Sequence, residues 1–141
     1  MQATYDIEVY VRFCETDAAG HVNNVSYFLY LEEARTKFFQ ALGMHSNDGS
    51  SSLNFILAST TCDYVAQAYA GQQLKVSSSI DKIGTKSFRI HHVITNADTQ
   101  QVIAKGSATT VCFNYVEQKT VVIPDVLRKS LESYTVDHVI G

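Results

Sequence analysis

The stretch Phe-Cys-Glu-Thr-Asp-Ala-Ala-Gly-His-Val-Asn-Asn-Val-Ser-Tyr, residues 13–27, decides how the chain is read. Ahead of it, residues 4–13 alternate. Tyr5, Ile7, Val9, Val11 and Phe13 take one face, and Thr4, Asp6, Glu8, Tyr10 and Arg12 the other. That period of two is the signature of a half-buried strand. Over residues 14–24 the alternation stops and Gly, Asp, Asn and Ala collect, which marks a loop. Beyond it the period becomes helical. Tyr27, Leu31, Ala34, Phe38 and Leu42 form one apolar stripe, with Asn24 placed as the cap and Gly43 as the left-handed residue that ends the helix. Phe28 and Phe39 fall outside the stripe, beside Glu32 and Arg35. That flank reads either as a subunit contact or as a widened core face.

The rest of the chain reads mainly as strands. Residues 44–52 form a polar loop, and strands are expected over 53–66, 73–83, 86–96 and 101–115. Turns at Ala70 and Gly71, at Gly84 and Thr85, and at 96–98 separate them. Pro124 is expected as the first residue of a short helix with Leu127, Leu131 and Tyr134 on one face. The order is strand, long helix, four strands, short helix. Hairpin-length connections make the pairing mostly antiparallel, an α+β arrangement. One helix covers a single sheet face, so the edges and the other face favour oligomerisation.

A chain of 141 residues suits one domain over residues 1–141. Its net charge of −3 lacks the basic surplus that nucleic acid binding needs. The N-terminus has no charged-then-apolar leader, and no apolar run approaches the roughly 20 residues of a membrane span. Cys14, Cys62 and Cys112 are odd in number and widely spaced, as expected of reduced thiols in a cytoplasmic protein. No Cys/His spacing suits a metal, and His91 and His92, adjacent in a strand, point to opposite faces. No glycine-rich phosphate loop links a strand to a helix. Neither metal nor cofactor is expected.

Asp17 is open to two readings. A carboxylate ahead of a helix stabilises it by about 0.3–1 kcal/mol at an exposed site. Alternatively, Asp17 attacks an acyl carbon or activates a water that does so. The backbone N–H groups around Asn24 and Val25 would then polarise the carbonyl and hold its developing charge. Gly20 would let the backbone approach a ligand closely, and His21 serves either as an acid or base or as a brace for the loop. Asn23 and Asn24 read as turn and cap residues, and Glu33 is spaced to pair with Lys37. Lys82, Lys86, Arg89 and Lys105 gather loosely around the hairpins, as surface charges or as phosphate contacts.

With these residues in place, the chain resembles the hot-dog-fold acyl-CoA thioesterases of the 4-hydroxybenzoyl-CoA thioesterase-like family. Residues 11–27, then Glu32, Glu33, Ala34 and Arg35, then residues 38–43 carry the likeness, which extends through Gly71, Lys86, Ser87, Phe88, Ile123 and Pro124. The resemblance implies a five-stranded antiparallel sheet wrapped around one long helix, with a short C-terminal helix. It implies a homodimer or homotetramer with active sites between subunits. It assigns Asp17 as the catalytic carboxylate, with Glu32 or Glu33 in reserve, and His21 beside it. The amides of Asn24 and Val25 become the carbonyl-polarising donors. Gly20, Tyr27, Lys86, Ser87 and Arg89 are the expected substrate contacts, the two basic residues near the phosphates of coenzyme A. The implied reaction is hydrolysis of an acyl-CoA or acyl-carrier-protein thioester to an acid and a thiol. A hot-dog hydratase or dehydratase using His21, or a non-catalytic acyl-CoA-binding module, are the alternatives.

Overall fold

The computed structural model describes residues 4–43 and 53–135. The expected loop over 44–52 lies outside them. The elements run β1 (Tyr5–Tyr10), a 3-10 turn (Phe13–Glu15), α1 (Asn24–Ala41), β2 (Asn54–Tyr64), β3 (Gln73–Ile83), β4 (Ser87–Asn96), β5 (Val102–Asn114), β6 (Lys119–Thr120) and α2 (Asp125–Glu132). The sheet is antiparallel in the order β1-β3-β4-β5-β2, with β6 paired to the end of β5. This is the hot-dog arrangement: α1 lies along one face, and β1 and β2 form the margins. The two-residue β6 was not expected, because it is too short to show a period.

All five stripe residues of α1 are buried, with Leu31, Ala34 and Phe38 almost fully so. Leu31 and Ala34 pack on Val76, Ile94 and Ala104, while Phe38 packs on Ile80, Phe88, Ile90 and Cys112. Ile123, Leu127 and Leu131 close the second cluster, so α2 seals one end of the core. The helix approaches the sheet closely at Gly106. A Cβ there would stand 2.9 Å from both Leu31 Cδ1 and the backbone oxygen of Thr61. Between the two clusters runs a polar layer, in which buried Ser78 and His92 share a 2.8 Å hydrogen bond across β3 and β4.

Four local expectations are corrected. Phe13 is 84% exposed rather than facing the core. The Arg12 amide donates to Glu15 Oε1 at 2.9 Å, and the Arg12 guanidinium reaches Oε2 at 3.0 Å. The chain therefore turns before Phe13 can join the sheet. Asn24 is the first helical residue, and the cap is Asn23, whose Oδ1 accepts from Ser26 N at 2.8 Å. Pro124 holds the cap position, one residue earlier than expected, and Asp125 opens α2. β2 stops at Tyr64, where the amides of Val65 and Ala66 both turn to donate to Ile103 O.

The flank of α1 is partly a widened core face. Phe39 packs 4.6 Å from Phe55 of β2, and Phe28 lies half-buried against the first cluster. The strand it faces stays open. Leu57 is 41% exposed, and among the described residues β2 pairs with β5 alone.

Candidate active site

The loop between β1 and α1 is built around Asp17. Its amide donates to His21 O at 3.0 Å, and Gly20 N donates back to Asp17 O at 2.9 Å. Gly20 closes this turn at φ +89°, a conformation that favours glycine. A Cβ at Gly20 would meet nothing within 4 Å, so the backbone angle, not close packing, requires glycine. Inside the turn, Asp17 Oδ1 accepts from Ala19 N at 2.9 Å. The second oxygen, Oδ2, lies 3.5 Å from His21 Nδ1. The carboxylate is thus held by its own loop yet remains 42% exposed.

Glu15 anchors this loop. Its backbone oxygen accepts from Asn23 N at 3.0 Å, and its Oε1 accepts from the Tyr30 hydroxyl at 2.9 Å, two helical turns into α1. Burial alone would raise the Glu15 carboxyl. The Arg12 amide, the Tyr30 hydroxyl and the Arg12 guanidinium outweigh it and hold the group below its ordinary range. Burial, and then the facing carboxylate, push the Tyr30 phenol up, so it stays a neutral donor.

A second segment, residues 65–72, folds back over the loop. Val22 N donates to Ala68 O at 2.8 Å, and His21 bridges to Tyr69, whose ring meets the imidazole edge-on at 6.4 Å. Gly71, at φ +90°, turns that segment into β3. Asp17, His21, Asn23 and Asn24 share a cavity of about 330 Å³ with Tyr27, Tyr64, Ala66 and Gln67. The rings of Tyr27 and Tyr64 stand 5.2 Å apart in its wall. Burial raises the Tyr27 phenol, while the Ala68 backbone works against it.

The start of α1 opens into this cavity. Ser26 N is taken by the Asn23 cap, whereas the amides of Asn24 and Val25 make no hydrogen bond among the described residues. They are the first orphan donors of the helix, at its positive end. The Val25 side chain points to solvent, so only its backbone is available to the site. The structure therefore brings Asp17, Gly20, His21, Asn24, Val25 and Tyr27 into one region. Tyr64, Ala66, Gln67 and Tyr69 join them without any sequence signal, because they reach the loop from more than forty residues away.

Lys86, Ser87 and Arg89 are not brought there within one chain. They lie at the start of β4, whereas the Asp17 loop packs near the opposite end, where Asn96 pairs with Leu74. Seven residues of strand separate Arg89 from Asn96, about 24 Å at the usual rise. Arg89 Nε donates to Asp81 Oδ1 at 2.8 Å, and Lys86 is exposed. Glu32 and Glu33 also lie outside the cavity. Both are exposed on α1, and Glu33 pairs with Lys37 at 2.7 Å. Among the described residues no group of three or more His, Cys, Asp or Glu could hold a metal ion, and no helix is long and apolar enough to cross a membrane.

The Asp17 loop and the start of α1 thus line one cavity of a hot-dog frame, and comparison with known proteins identifies the family. Residues 11–131 match the thioesterase-like superfamily, and the chain belongs to it. It is 28% identical to the long-chain acyl-CoA thioesterase FadM of Escherichia coli, over 89% of this chain and 95% of FadM. It is also 28% identical to a 1,4-dihydroxy-2-naphthoyl-CoA hydrolase of Nostoc punctiforme, over 87% and 83% of the two chains. Among solved structures, a predicted thioesterase from Bacillus stearothermophilus superposes with a TM-score of 0.83 at 29% identity, covering 95% of this chain and 98% of that one.

Proposed function

We propose that this thioesterase cleaves an acyl-CoA to a carboxylic acid and free coenzyme A through Asp17. The observation that carries the reading is one shared cavity. The Asp17 carboxylate, fixed by Ala19 N at 2.9 Å, and the start of α1, with two unbonded amides, both line it. The thioester oxygen binds to the Asn24 and Val25 N–H groups, which polarise the carbonyl and hold the oxyanion as it forms.

Two routes use this geometry. In one, Asp17 takes a proton from water as the water oxygen adds to the carbonyl carbon. The tetrahedral oxyanion then collapses, the C–S bond breaks and the thiolate leaves. In the other, a carboxylate oxygen adds to the carbon, the thiolate leaves, and water hydrolyses the resulting anhydride. Both need Asp17 ionised. His21, 3.5 Å from Oδ2, orients the carboxylate.

The full site is assigned to a homodimer formed by antiparallel pairing of the open β2 margins. That pairing brings the β4 start of one subunit toward the Asp17 end of the other, which gives Lys86, Ser87 and Arg89 access to the coenzyme A phosphates. The two named relatives act on a long-chain and an aromatic acyl group. The tyrosine-lined wall accepts apolar acyl groups of either kind, and an acyl carrier protein is the alternative carrier. Three free cysteines support a reducing, cytoplasmic setting.

Asp17→Asn removes the charge and keeps the Ala19 contact. It is expected to lower kcat for thiol release by at least about a hundredfold across short, long and aromatic acyl-CoAs, with little change in melting temperature. A variant that keeps wild-type turnover refutes the role of Asp17. Hydration of an enoyl thioester without thiol release would replace the hydrolase reading with a hydratase.

A further inference from the structure

We propose that Gln67 binds the thiol half of the thioester, its side-chain amide donating to the amide carbonyl that coenzyme A carries just beyond the carbons next to its sulfur. This rests on the thioesterase reading above and names the part of the leaving group that the site recognises.

The first observation is where Gln67 stands. It lines the cavity that holds Asp17 and Asn24. Its neighbour Ala68 is fully buried while Gln67 is exposed, which puts the side chain at the rim of the cavity rather than in its floor. With the thioester oxygen at the start of α1 and the acyl group along Tyr27 and Tyr64, the way left for the thiol half is outward past that rim.

The second observation is that the amide is aimed. The chain is pinned on either side of Gln67: Ala66 N donates to Ile103 O at 3.0 Å, and Ala68 O accepts from Val22 N at 2.8 Å. The Tyr69 hydroxyl donates to Gln67 Oε1 at 3.0 Å. Tyr69 is braced in turn, its amide donating to Gln72 Oε1 at 2.9 Å and its ring meeting His21 edge-on. Gln67 Nε2 is left with two donors and makes no hydrogen bond among the described residues.

The third observation is chemical fit. The rim donor is neutral, and so is the carbonyl it would meet. A lysine or arginine here would attract the Asp17 carboxylate in the same cavity, and an acid would repel it. A glutamine recognises the arm without disturbing the charge that hydrolysis needs.

The test takes the acyl group that wild type cleaves fastest and presents it on coenzyme A, on N-acetylcysteamine and on propanethiol. The first two thiols carry the amide, and the third does not. Gln67→Leu and Gln67→Glu both remove the donors. Each is expected to raise KM about five- to tenfold for the amide-bearing esters, with kcat within about twofold of wild type. On the propanethiol ester both variants are expected to match wild type. Tyr69→Phe releases the amide and is expected to raise KM for the amide-bearing esters about two- to threefold, with no further rise beside Gln67→Leu.

An unchanged KM for the coenzyme A ester in either Gln67 variant overturns the proposal. So does an equal rise for all three esters, or a loss confined to kcat. If wild type cleaves only esters that carry the amide, KM for those esters decides. Additive effects of the Tyr69 and Gln67 substitutions refute the bracing by Tyr69. Asp17→Asn reports separately, because it is expected to slow every ester alike. Wild-type turnover in that variant would remove the role of the carboxylate and leave the arm dependence at Gln67 standing.

Discussion

Glu15 lies outside the cavity yet ties Arg12, the Asn23 cap and Tyr30 of α1 together at the two ends of the Asp17 loop. Its carboxylate takes hydrogen bonds from Arg12 and from Tyr30 of α1, and its backbone holds Asn23. The side chain is only 12% exposed, so these bonds are shielded from water. Glu15 is a positioning residue in this arrangement. Misplacement of a reacting group by about 1 Å costs up to about a hundredfold in rate. Glu15→Ala is accordingly expected to lower kcat between about tenfold and a hundredfold with KM nearly unchanged. Glu15→Gln keeps one acceptor oxygen for the Arg12 amide and the Tyr30 hydroxyl, gives up the guanidinium contact, and should recover most of the loss. If the alanine variant retains wild-type kcat, or if glutamine rescues nothing, the anchoring role fails. The motif residues around Asp17 were legible in the sequence because loop and helix start are contiguous. Glu15 was not, because its partner Tyr30 lies 15 residues further on, beyond any local pattern.

At the scale of elements, α1 was the most legible part, since five residues at helical spacing all became core. The strands were legible as segments, but the position of β2 at the margin was not. Nothing local distinguishes a margin strand from a central one when its pattern is only partly polar. The polar layer beneath α1 was half legible: alternation separates His92 from His91 and sets Ser78 on the face of Leu74, Val76 and Ile80, but nothing in it joins Ser78 to His92. Burial, followed by the charges of Arg35 and His91, lowers the His92 pKa to about 3. Its Nε2 has no hydrogen-bond partner among the described residues. A base depressed from an ordinary value near 6.5 binds fewer protons folded than unfolded. Its stabilising contribution is therefore complete above about pH 6.5 and is lost progressively as pH falls toward about 3. Between pH 7 and 4.5 the wild-type melting temperature is expected to fall at least about 3 °C further than that of His92→Gln. Parallel curves for the two proteins would show that His92 carries no such linkage.

The whole molecule raises the question of where each half of a site comes from. Within one chain, Asp17 and the Lys86 and Arg89 pair occupy opposite ends of the sheet, and the proposed dimer unites them across subunits. Asp17→Asn protein mixed with Lys86→Ala/Arg89→Ala protein tests this directly. In mixed dimers one site of the two regains both parts, so an equal mixture should recover about a quarter of wild-type activity at low substrate. If the mixture only averages its parents, both parts act within one chain.

Among the described residues the border of β2 turned away from β5 has no strand partner, and that bears on the life of the protein before assembly. Between Phe55 and Tyr64 a lone subunit offers a strand border flanked by greasy side chains, which an extended polypeptide can lengthen. If the proposed dimer forms, meeting its twin promptly is a matter of survival as much as of catalysis, and scarcity of the protein in the cell becomes a hazard in its own right.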